Sequence, residues 1–259
     1  MITKNQLKYY SSLLQKKHRI KEKKFLVEGL KNVEEGLNSS YDCEVIFVTN
    51  KFIEENEDFL KRFKSKSDKI ISLKQKELQK ISDSQTPQGV AAVFIKPSIF
   101  QESKSFDEEI IVYLDDIADP GNLGTIIRNC DWFGVKKILL SSKCVEHTNP
   151  KVVRSSAGSV FHLDIYDNIK IDELRKLKEQ GYQIITADVE GENIYEMKRD
   201  EKIIIAFSNE ANGPSEELLK ISDRIFTIPK SGKAESLNVA SASAVILSIL
   251  HQITKPEIK

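Results

Sequence analysis

The chain has 259 residues, of which 40% are hydrophobic and 30% charged, a composition typical of a soluble globular protein with one large domain or two modest ones. No apolar run is long enough to span a membrane, and the N-terminal residues do not have the pattern of a signal peptide. The three cysteines and four histidines lack the spacing of a metal site, so we expect a cytoplasmic protein with no metal and no disulfide.

A formal net charge of zero conceals an uneven distribution along the chain. Residues 1–100 contain 19 basic residues against 13 acidic ones, and the remainder contains 20 against 26. Among the first 24 residues, Glu22 is the only acidic one. This block is typical of a phosphate-binding surface, but a solvated helix end in a lysine-rich chain has the same pattern. The candidates for nucleic-acid contact in it are Lys16, Lys17, Arg19, Lys23 and Lys24.

Residues 1–97 alternate short helical and strand patterns and are predicted to form a small α/β domain. Asn5–Lys17 has the apolar spacing of a helix, and a basic loop is expected after it. Helical patterns return at Glu54–Lys64 and Lys76–Ile81. Residues 98–107 have no periodicity and are predicted to be a linker. The predicted strands are Phe25–Glu28, Glu44–Thr49, Lys69–Leu73 and Val90–Ile95.

The pattern changes in residues 108–259, where the predicted strands are continuous apolar runs. Such runs are typical of strands covered on both faces, so we expect a mainly parallel sheet in a layered α/β domain. Helices are predicted at Leu123–Phe133 and Asp172–Gln180. The predicted strands are Ile110–Leu114, Lys137–Ser141, Gln183–Ala187, Lys202–Phe207 and Ile225–Ile228.

The predicted C-terminal helix, Val239–Leu250, is small or apolar on nearly every face. Ser236 and Asn238 are both suitable residues to cap its N-terminus. A helix that is apolar all round is buried on more than one side. The run of small side chains at Ala240–Ala244 would let another helix approach closely, but an ordinary core helix explains the pattern about as well.

Polar residues follow two of the predicted strands, at the sheet edge where α/β proteins place their sites. The first set is a turn at Asp119–Asn122, with Arg128 farther along the helix that it begins. Asn122 and Arg128 have the chemistry to hold a ribose phosphate, but the pattern alone favours a helix cap and a surface charge. Glu210 follows strand Lys202–Phe207 and is either a solvated loop residue or part of a site.

Three segments taken together resemble the motifs of SpoU/TrmH-type RNA 2′-O-ribose methyltransferases of the SPOUT class. They are DPGNLGTIIR at 119–128, NEANGPS at 209–215 and IPKSGKAESLNV at 228–239. NPKVVRSSAGSVFHL at 149–163 is similar to the stretch that follows the family's first motif, and residues 1–97 resemble its small RNA-binding domain. The chain departs from the family at Ser208, where glycine is usual, and at Cys130, where alanine is usual.

The resemblance implies a C-terminal domain tied in a deep trefoil knot, which binds S-adenosyl-L-methionine and forms a homodimer through the C-terminal helix. The substrate that it implies is structured RNA, and the ribosomal-protein-like N-terminal domain favours ribosomal RNA over transfer RNA. Arg154 joins the candidate RNA contacts. The cofactor-binding residues implied are Ser208, Asn209, Gly213, Ile228 and Leu237.

The resemblance also implies the catalytic residues Asn122, Arg128, Glu210 and Asn238. In the family the motif arginine is often cast as a general base, but guanidinium stays protonated in proteins. We therefore expect Arg128 to clamp the adjacent phosphate and stabilise the developing alkoxide, with no metal required. A non-catalytic RNA-binding or ribosome-assembly protein on the same scaffold is the other hypothesis, although it would be expected to have lost some of these residues.

Overall fold

A computed structural model of the protein describes residues 2–96, 106, 108–198, 202–209 and 211–253. The chain forms two compact units. The first combines the N-terminal residues with the later segment Thr148–Phe161, and the second contains the intervening residues and those from His162 onward. Most of the predicted linker lies outside the described residues. Phe106, which falls within it, is buried in the core of the second unit.

The first unit is built around a four-stranded sheet whose predicted strands are all present. These are β1 Lys24–Glu28, β2 Cys43–Thr49, β3 Ile70–Leu73 and β4 Val90–Ile95. In the order β1-β4-β2-β3, β4 is antiparallel to both neighbours and β2 is parallel to β3. The helices before residue 96 are α1 Lys4–Ser12, α2 Lys16–Glu22, α3 Leu30–Asn38, α4 Asn50–Glu55, α5 Glu57–Arg62 and α6 Gln75–Leu78.

The predicted basic loop after α1 is wrong, because Lys16–Glu22 form helix α2. One residue of α2, Arg19, has a buried side chain. Its Nη1 donates hydrogen bonds to the carbonyl oxygens of Leu13 and Leu14, at 2.8 Å and 2.6 Å. Leu13 is the C-terminal cap of α1 and Leu14 follows it, so Arg19 supplies hydrogen-bond donors at the end of that helix. Because the guanidinium of Arg19 is buried and hydrogen-bonded to the backbone, we remove Arg19 from the set of candidate RNA contacts.

Aromatic rings from distant parts of the chain form part of the core of the first unit. Phe161, from the inserted segment, lies 5.2 Å from both Tyr41 and Phe94 between ring centroids and 6.1 Å from Phe25. Gly36 makes room for these rings, since a Cβ there would lie 2.5 Å from Phe94 and 2.9 Å from Phe161. The core of the first unit therefore includes Phe161, which comes later in the sequence than the first part of the second unit.

The second unit contains a six-stranded sheet in the order β10-β8-β9-β5-β6-β7, and every neighbouring pair is parallel. This confirms the predicted mainly parallel α/β fold. The sequence patterns missed β7. The strands are β5 Ile110–Asp115, β6 Lys137–Ser141, β7 Asp164–Ile169, β8 Tyr182–Asn193, β9 Lys202–Ser208 and β10 Arg224–Thr227. The helices are α7 Pro120–Trp132, α8 Pro150–Ser155, which belongs to the first unit, α9 Ile171–Glu179, α10 Glu216–Ile221 and α11 Val239–Ile253.

The C-terminal helix α11 packs against α7. Asn129 of α7 donates from Nδ2 to the carbonyl oxygen of Ala240 at 2.9 Å and to Oγ of Ser243 at 3.0 Å. Because these bonds join the two helices near the start of α11, they fix how α7 and the loop before α11 approach each other. Within the described ranges, no helix has both the length and the apolar character needed to cross a bilayer.

Candidate active site

A cavity of about 390 Å³ lies at the carboxyl ends of β9 and β10 and beside the middle of β8, just past the residues of β8 that pair with β9. This is the sheet edge at which parallel α/β folds bind their ligands, and the volume is within the usual range for a small molecule. Most of its wall is apolar. Its lining includes residues at the strand ends, in the loops that follow β9 and β10, and on the first turns of α11.

All of the predicted cofactor-binding residues line this one cavity. They come from the second and third motifs, which the fold brings together although they are distant in the sequence. Their roles as cofactor ligands remain a prediction. What the fold shows is that all five residues line the same cavity. These residues are Ser208, Asn209, Gly213, Ile228 and Leu237.

The loop after β9 is shaped by Asn209. Its Nδ2 donates to the carbonyl oxygen of Asp116 at 3.1 Å, and its Oδ1 accepts a hydrogen bond from the backbone N–H of Ala211 at 2.8 Å. Gly213 closes the turn with a φ of +65°, a left-handed conformation that favours glycine, and its N–H bonds the carbonyl of Asn209 at 2.9 Å. The side chain of Asn209 therefore holds the loop, while the loop forms part of the cavity wall.

The cavity has the chemistry needed to hold S-adenosyl-L-methionine. Ile228 and Leu237 present apolar surface, and Leu237 is 51% exposed, which leaves it accessible to a ligand. By contrast, the Oγ of Ser208 is buried and has no hydrogen-bond partner among the described residues. A mainly apolar wall that also contains polar residues such as Asp188 and Thr227 fits a nucleoside, which is largely apolar on its ring faces and polar at its edges.

Two of the predicted catalytic residues meet beside this cavity. Asn238 donates from Nδ2 to Oδ1 of Asn122 at 3.0 Å. The Oδ1 of Asn238 accepts from the backbone N–H groups of Ala240 and Ser241, at 3.0 Å and 3.3 Å, and so caps α11. Leu237 and Val239, which flank Asn238 in the sequence, both line the cavity. The asparagine pair therefore joins the start of α7 to the cavity wall.

Arg128 is not brought into this pair. It is exposed on α7, does not line the cavity, and makes no hydrogen bond or ion pair with another described residue. Six residues separate it from Asn122, which is about 9 Å along a helix and roughly 240° around it. The two side chains therefore point in different directions. Glu210, the remaining predicted catalytic residue, lies outside the described residues.

The candidate RNA contacts in the first unit differ in how exposed their side chains are. Lys16, Lys17 and Lys23 are exposed. Lys24 is half-buried and forms an ion pair with Glu44. Burial lowers the pKa of the Lys24 ammonium, but hydrogen bonds to Glu44 and Tyr9 more than offset this, and the pKa is raised.

Arg154, the candidate RNA contact on α8, is held by two carboxylates of the first unit. Its Nη1 lies 2.6 Å from Oε1 of Glu28, and its Nη2 lies 3.0 Å from Oδ2 of Asp83. An RNA phosphate at this arginine would have to compete with both of these ion pairs.

Sequence patterns missed the part of the cavity wall formed by the middle of β8 and by α11. Ala187 ends the predicted strand Gln183–Ala187, and Asp188 and Val189 come directly after it, so the usual placement of sites at carboxyl ends could have identified them, although β8 itself continues to Asn193. Ala242 and Ile246 of α11 also line the cavity, but an all-apolar helix gives no indication of which face is exposed to a ligand. Of the described residues, no cluster of three or more histidines, cysteines or carboxylates could hold a metal ion.

Comparison with known proteins identifies both units. The model of the SpoU rRNA methylase family matches residues 109–248, and that of the MRM3-like substrate binding domain matches residues 4–92. The 23S rRNA (guanosine(2553)-2′-O)-methyltransferase RlmP of Bacillus subtilis is 31% identical over 246 residues, covering 94% of this chain and 95% of that protein. Human mitochondrial rRNA methyltransferase 3 is 28% identical over 178 residues, covering 66% of this chain and 41% of that protein.

A solved structure has the same fold over nearly the whole chain. The AdoMet-bound rRNA methyltransferase from Sinorhizobium meliloti superposes with a TM-score of 0.85 at 26% identity, covering 99% of this chain and 97% of that one. The family resemblance found in the motifs is thus confirmed, and S-adenosyl-L-methionine is the cofactor of the family. With a family match across most of the second unit and a relative that aligns along nearly its full length, this chain belongs to the SpoU rRNA methylase family.

Proposed function

We propose that this protein transfers a methyl group from S-adenosyl-L-methionine to a ribose 2′-hydroxyl of ribosomal RNA. The observation that carries the proposal is that every predicted cofactor-binding residue lines the same cavity, in a chain of this family. The name of the Bacillus subtilis relative supports both the 2′-O position and ribosomal RNA. This favours ribosomal over transfer RNA. We also infer a cytoplasmic location, since all three cysteines are free.

When bound, S-adenosyl-L-methionine supplies an electrophilic methyl group on a sulfonium. Ile228 and Leu237 would hold the nucleoside part by apolar contact, as buried apolar area is the main source of affinity in such a pocket. The Asn122–Asn238 pair would position the ribose, because it is fixed by α11 and lies next to cavity-lining residues in the sequence. A hydroxyl reacts only when it is held at near-attack distance and in line with the methyl carbon.

Arg128 would bind the phosphate next to the reacting ribose. Its guanidinium is exposed and is not used by another described residue, so it is accessible to the RNA backbone. A guanidinium matches the two oxygens of a phosphate, and the charge would also stabilise negative charge as it develops on the 2′-oxygen. The role therefore needs no proton transfer to or from Arg128.

In the first unit, the exposed lysines on and after α2 would bind RNA phosphates. Lys16, Lys17 and Lys23 are the ones we retain, because they are exposed, whereas Lys24 is half-buried and Arg154 is held by two carboxylates. Each phosphate contact releases counterions, so affinity should depend steeply on salt.

The proposal is tested by methyl transfer from labelled S-adenosyl-L-methionine to unmodified ribosomal RNA, followed by mapping of the 2′-O-methyl position. We expect one main site. Replacing Lys16, Lys17 and Lys23 with glutamine should weaken RNA binding and reduce its salt dependence by about one unit of slope per lost contact, with the rate at saturating RNA almost unchanged. Replacing the exposed lysines Lys64, Lys76 and Lys80 of the same unit is the matched control.

Two outcomes would count against this function. Wild-type protein that binds both cofactor and RNA but transfers no methyl would favour the non-catalytic RNA-binding hypothesis. Methylation of transfer RNA in preference to ribosomal RNA would keep the reaction and change the substrate.

We also propose that the protein is a homodimer formed through α11. Val245 and Ile249 lie on this helix and are only partly buried within the chain, although one face of α11 already packs on α7. Trp132, at the end of α7, is 81% exposed. Large apolar side chains exposed on two packed helices are typical of a surface that another subunit covers.

Replacing Val245 or Ile249 with glutamate is therefore expected to give monomers, or aggregates, where the native protein sediments as a dimer at micromolar concentration. Trp132 is the only tryptophan of the chain, so its fluorescence reports on this surface without labelling. On dilution of the native protein the emission should shift to longer wavelength as dimers dissociate. If the native protein sediments as a monomer, the dimer proposal is wrong and α11 is an ordinary core helix.

A further inference from the structure

The side-chain amide of Asn129 joins helix α7 to helix α11 through two hydrogen bonds. Its Nδ2 donates to the carbonyl oxygen of Ala240 at 2.9 Å and to Oγ of Ser243 at 3.0 Å. Ser243 is fully buried, and its hydroxyl donates in turn to the carbonyl oxygen of Ala240 at 2.8 Å. The three residues therefore form a closed set of hydrogen bonds, which we call the Asn129 cluster.

The Asn129 cluster is the polar part of an otherwise apolar pair of helices. Apart from Ser243, the buried residues of α7 and α11 are apolar or only weakly polar. Apolar packing is non-directional, so by itself it lets one helix turn or slide on another, whereas a hydrogen bond needs a defined distance and angle. A buried polar contact between apolar helices can therefore fix how one is rotated against the other.

The rotation of α7 matters because α7 carries residues that are proposed to act on the RNA. Asn122 and Arg128 both belong to it. No residue of α7, which the structure describes in full, lines the cavity, whereas Ala242 and Ile246 of α11 do. The contact between the two helices therefore sets where the RNA-facing residues stand relative to the cofactor cavity.

Helix geometry shows how closely Asn129 is tied to these two residues. Asn122 lies seven residues earlier, about 10.5 Å along the axis and about 20° around it. Both asparagines thus lie on one face of α7 and bond to residues at the start of α11. Arg128 is the residue before Asn129, about 100° around the helix. A turn of α7 by about 10° would move a side chain at the helix surface, roughly 5–6 Å from the axis, by about 1 Å.

We propose that Asn129 is a positioning residue for methyl transfer, which holds α7 at the rotation that directs Arg128 to the phosphate beside the reacting ribose. This inference rests on the proposed function, because Arg128 has a phosphate to bind only if RNA is the substrate. Asn129 acts through Arg128 and not on the reacting atoms.

The test is single-turnover methyl transfer from labelled S-adenosyl-L-methionine to saturating, unmodified ribosomal RNA. Asn129→Ala should lower the rate by roughly 10- to 100-fold, since a displacement of about 1 Å can cost about 100-fold. The cofactor affinity, measured by isothermal titration, should be almost unchanged, because Asn129 does not line the cavity. Ser243→Ala removes only one of the two acceptors and should lower the rate less. It carries the test if Asn129→Ala does not fold.

A double-mutant cycle with Arg128 separates positioning from a general effect on the fold. In the Arg128→Ala background, Asn129→Ala should lower the rate little further, because the group that it positions is already absent. The matched control is Ser222→Ala in the same unit. It removes a hydroxyl that donates to the carbonyl oxygen of Leu218 at 2.8 Å and lies 2.6 Å from Oγ1 of Thr186. This control should lower the Tm, as Asn129→Ala does, and transfer methyl at the native rate.

The outcomes distinguish this inference from the proposed function. A native rate for folded Asn129→Ala, or for Ser243→Ala where that variant carries the test, would overturn the inference and leave the reaction in place. Equal losses from Asn129→Ala with and without Arg128 would show that the amide does not act through the arginine. Native protein that transfers no methyl would overturn the proposed function and the inference together.

Discussion

Replacing Arg128 with alanine is expected to lower the rate of methyl transfer by about 100- to 1,000-fold, the usual cost of losing one preorganised charge at a reacting centre. The affinity for S-adenosyl-L-methionine should be almost unchanged, because Arg128 does not line the cavity. Stability should be unchanged as well, since the side chain is exposed and makes no polar contact with another described residue. The measurement is single-turnover transfer from labelled cofactor, with titration of the cofactor and thermal unfolding alongside.

A lysine at the same position separates the phosphate clamp from simple charge. Arg128→Lys keeps the charge but cannot bind two phosphate oxygens in the same plane, so it should restore little of the rate. Arg175→Ala removes another exposed arginine of the second unit and should leave the rate as it is. A fully active Arg128→Lys enzyme would disprove the clamp but not the family assignment.

Replacing Leu237 with aspartate is expected to abolish detectable binding of S-adenosyl-L-methionine. Covering a leucine side chain is worth roughly 1.5–3 kcal/mol, or about 10- to 150-fold in affinity, and burying a carboxylate in its place adds a further cost. Because Leu237 is 51% exposed, the fold should tolerate the change. Isothermal titration and far-UV circular dichroism of the same samples measure the two effects separately.

A graded series makes the Leu237 result interpretable. Leu237→Ala should weaken binding less than the aspartate does, since it removes apolar area without adding charge. Ile20→Asp is a control for a charge placed at an exposed apolar residue, as Ile20 is 63% exposed and belongs to the first unit. Unchanged cofactor affinity in a folded Leu237→Asp variant would remove the third motif from the cofactor site.

Strands of the second unit could be predicted from the sequence wherever they are buried on both faces. β5 and β9 are such strands, with neighbours on either side and continuous apolar runs. β7 was missed because it is the edge strand, and its sequence DIYDNI is largely polar. Helix α2 was missed for a related reason, since its lysines give no apolar periodicity and the residue that secures it, Arg19, is a charged side chain that is buried.

The motifs identified the cavity but not the arrangement of the catalytic residues. The third motif contributes cavity residues together with Asn238, so its loop and helix cap could be expected to lie together. The pairing of Asn122 with Asn238 depends on how α7 packs against α11, which no local pattern specifies. The direction of Arg128 away from this pair follows from helix geometry, but only once the start of α7 at Pro120 is known.

The insertion of Thr148–Phe161 into the first unit has a consequence for synthesis on the ribosome. Phe161 is 5% exposed and packs among rings from β1, β4 and Tyr41, so the N-terminal unit cannot complete its core when its own residues first emerge. A missing phenylalanine in a core costs about 3–5 kcal/mol, a large share of the stability of a small domain. The nascent unit must therefore wait, with its aromatic residues uncovered, until β5, α7 and β6 have also been made. Maturation of the two units is coupled in time, and a chaperone that shields aromatic surface would act during that interval.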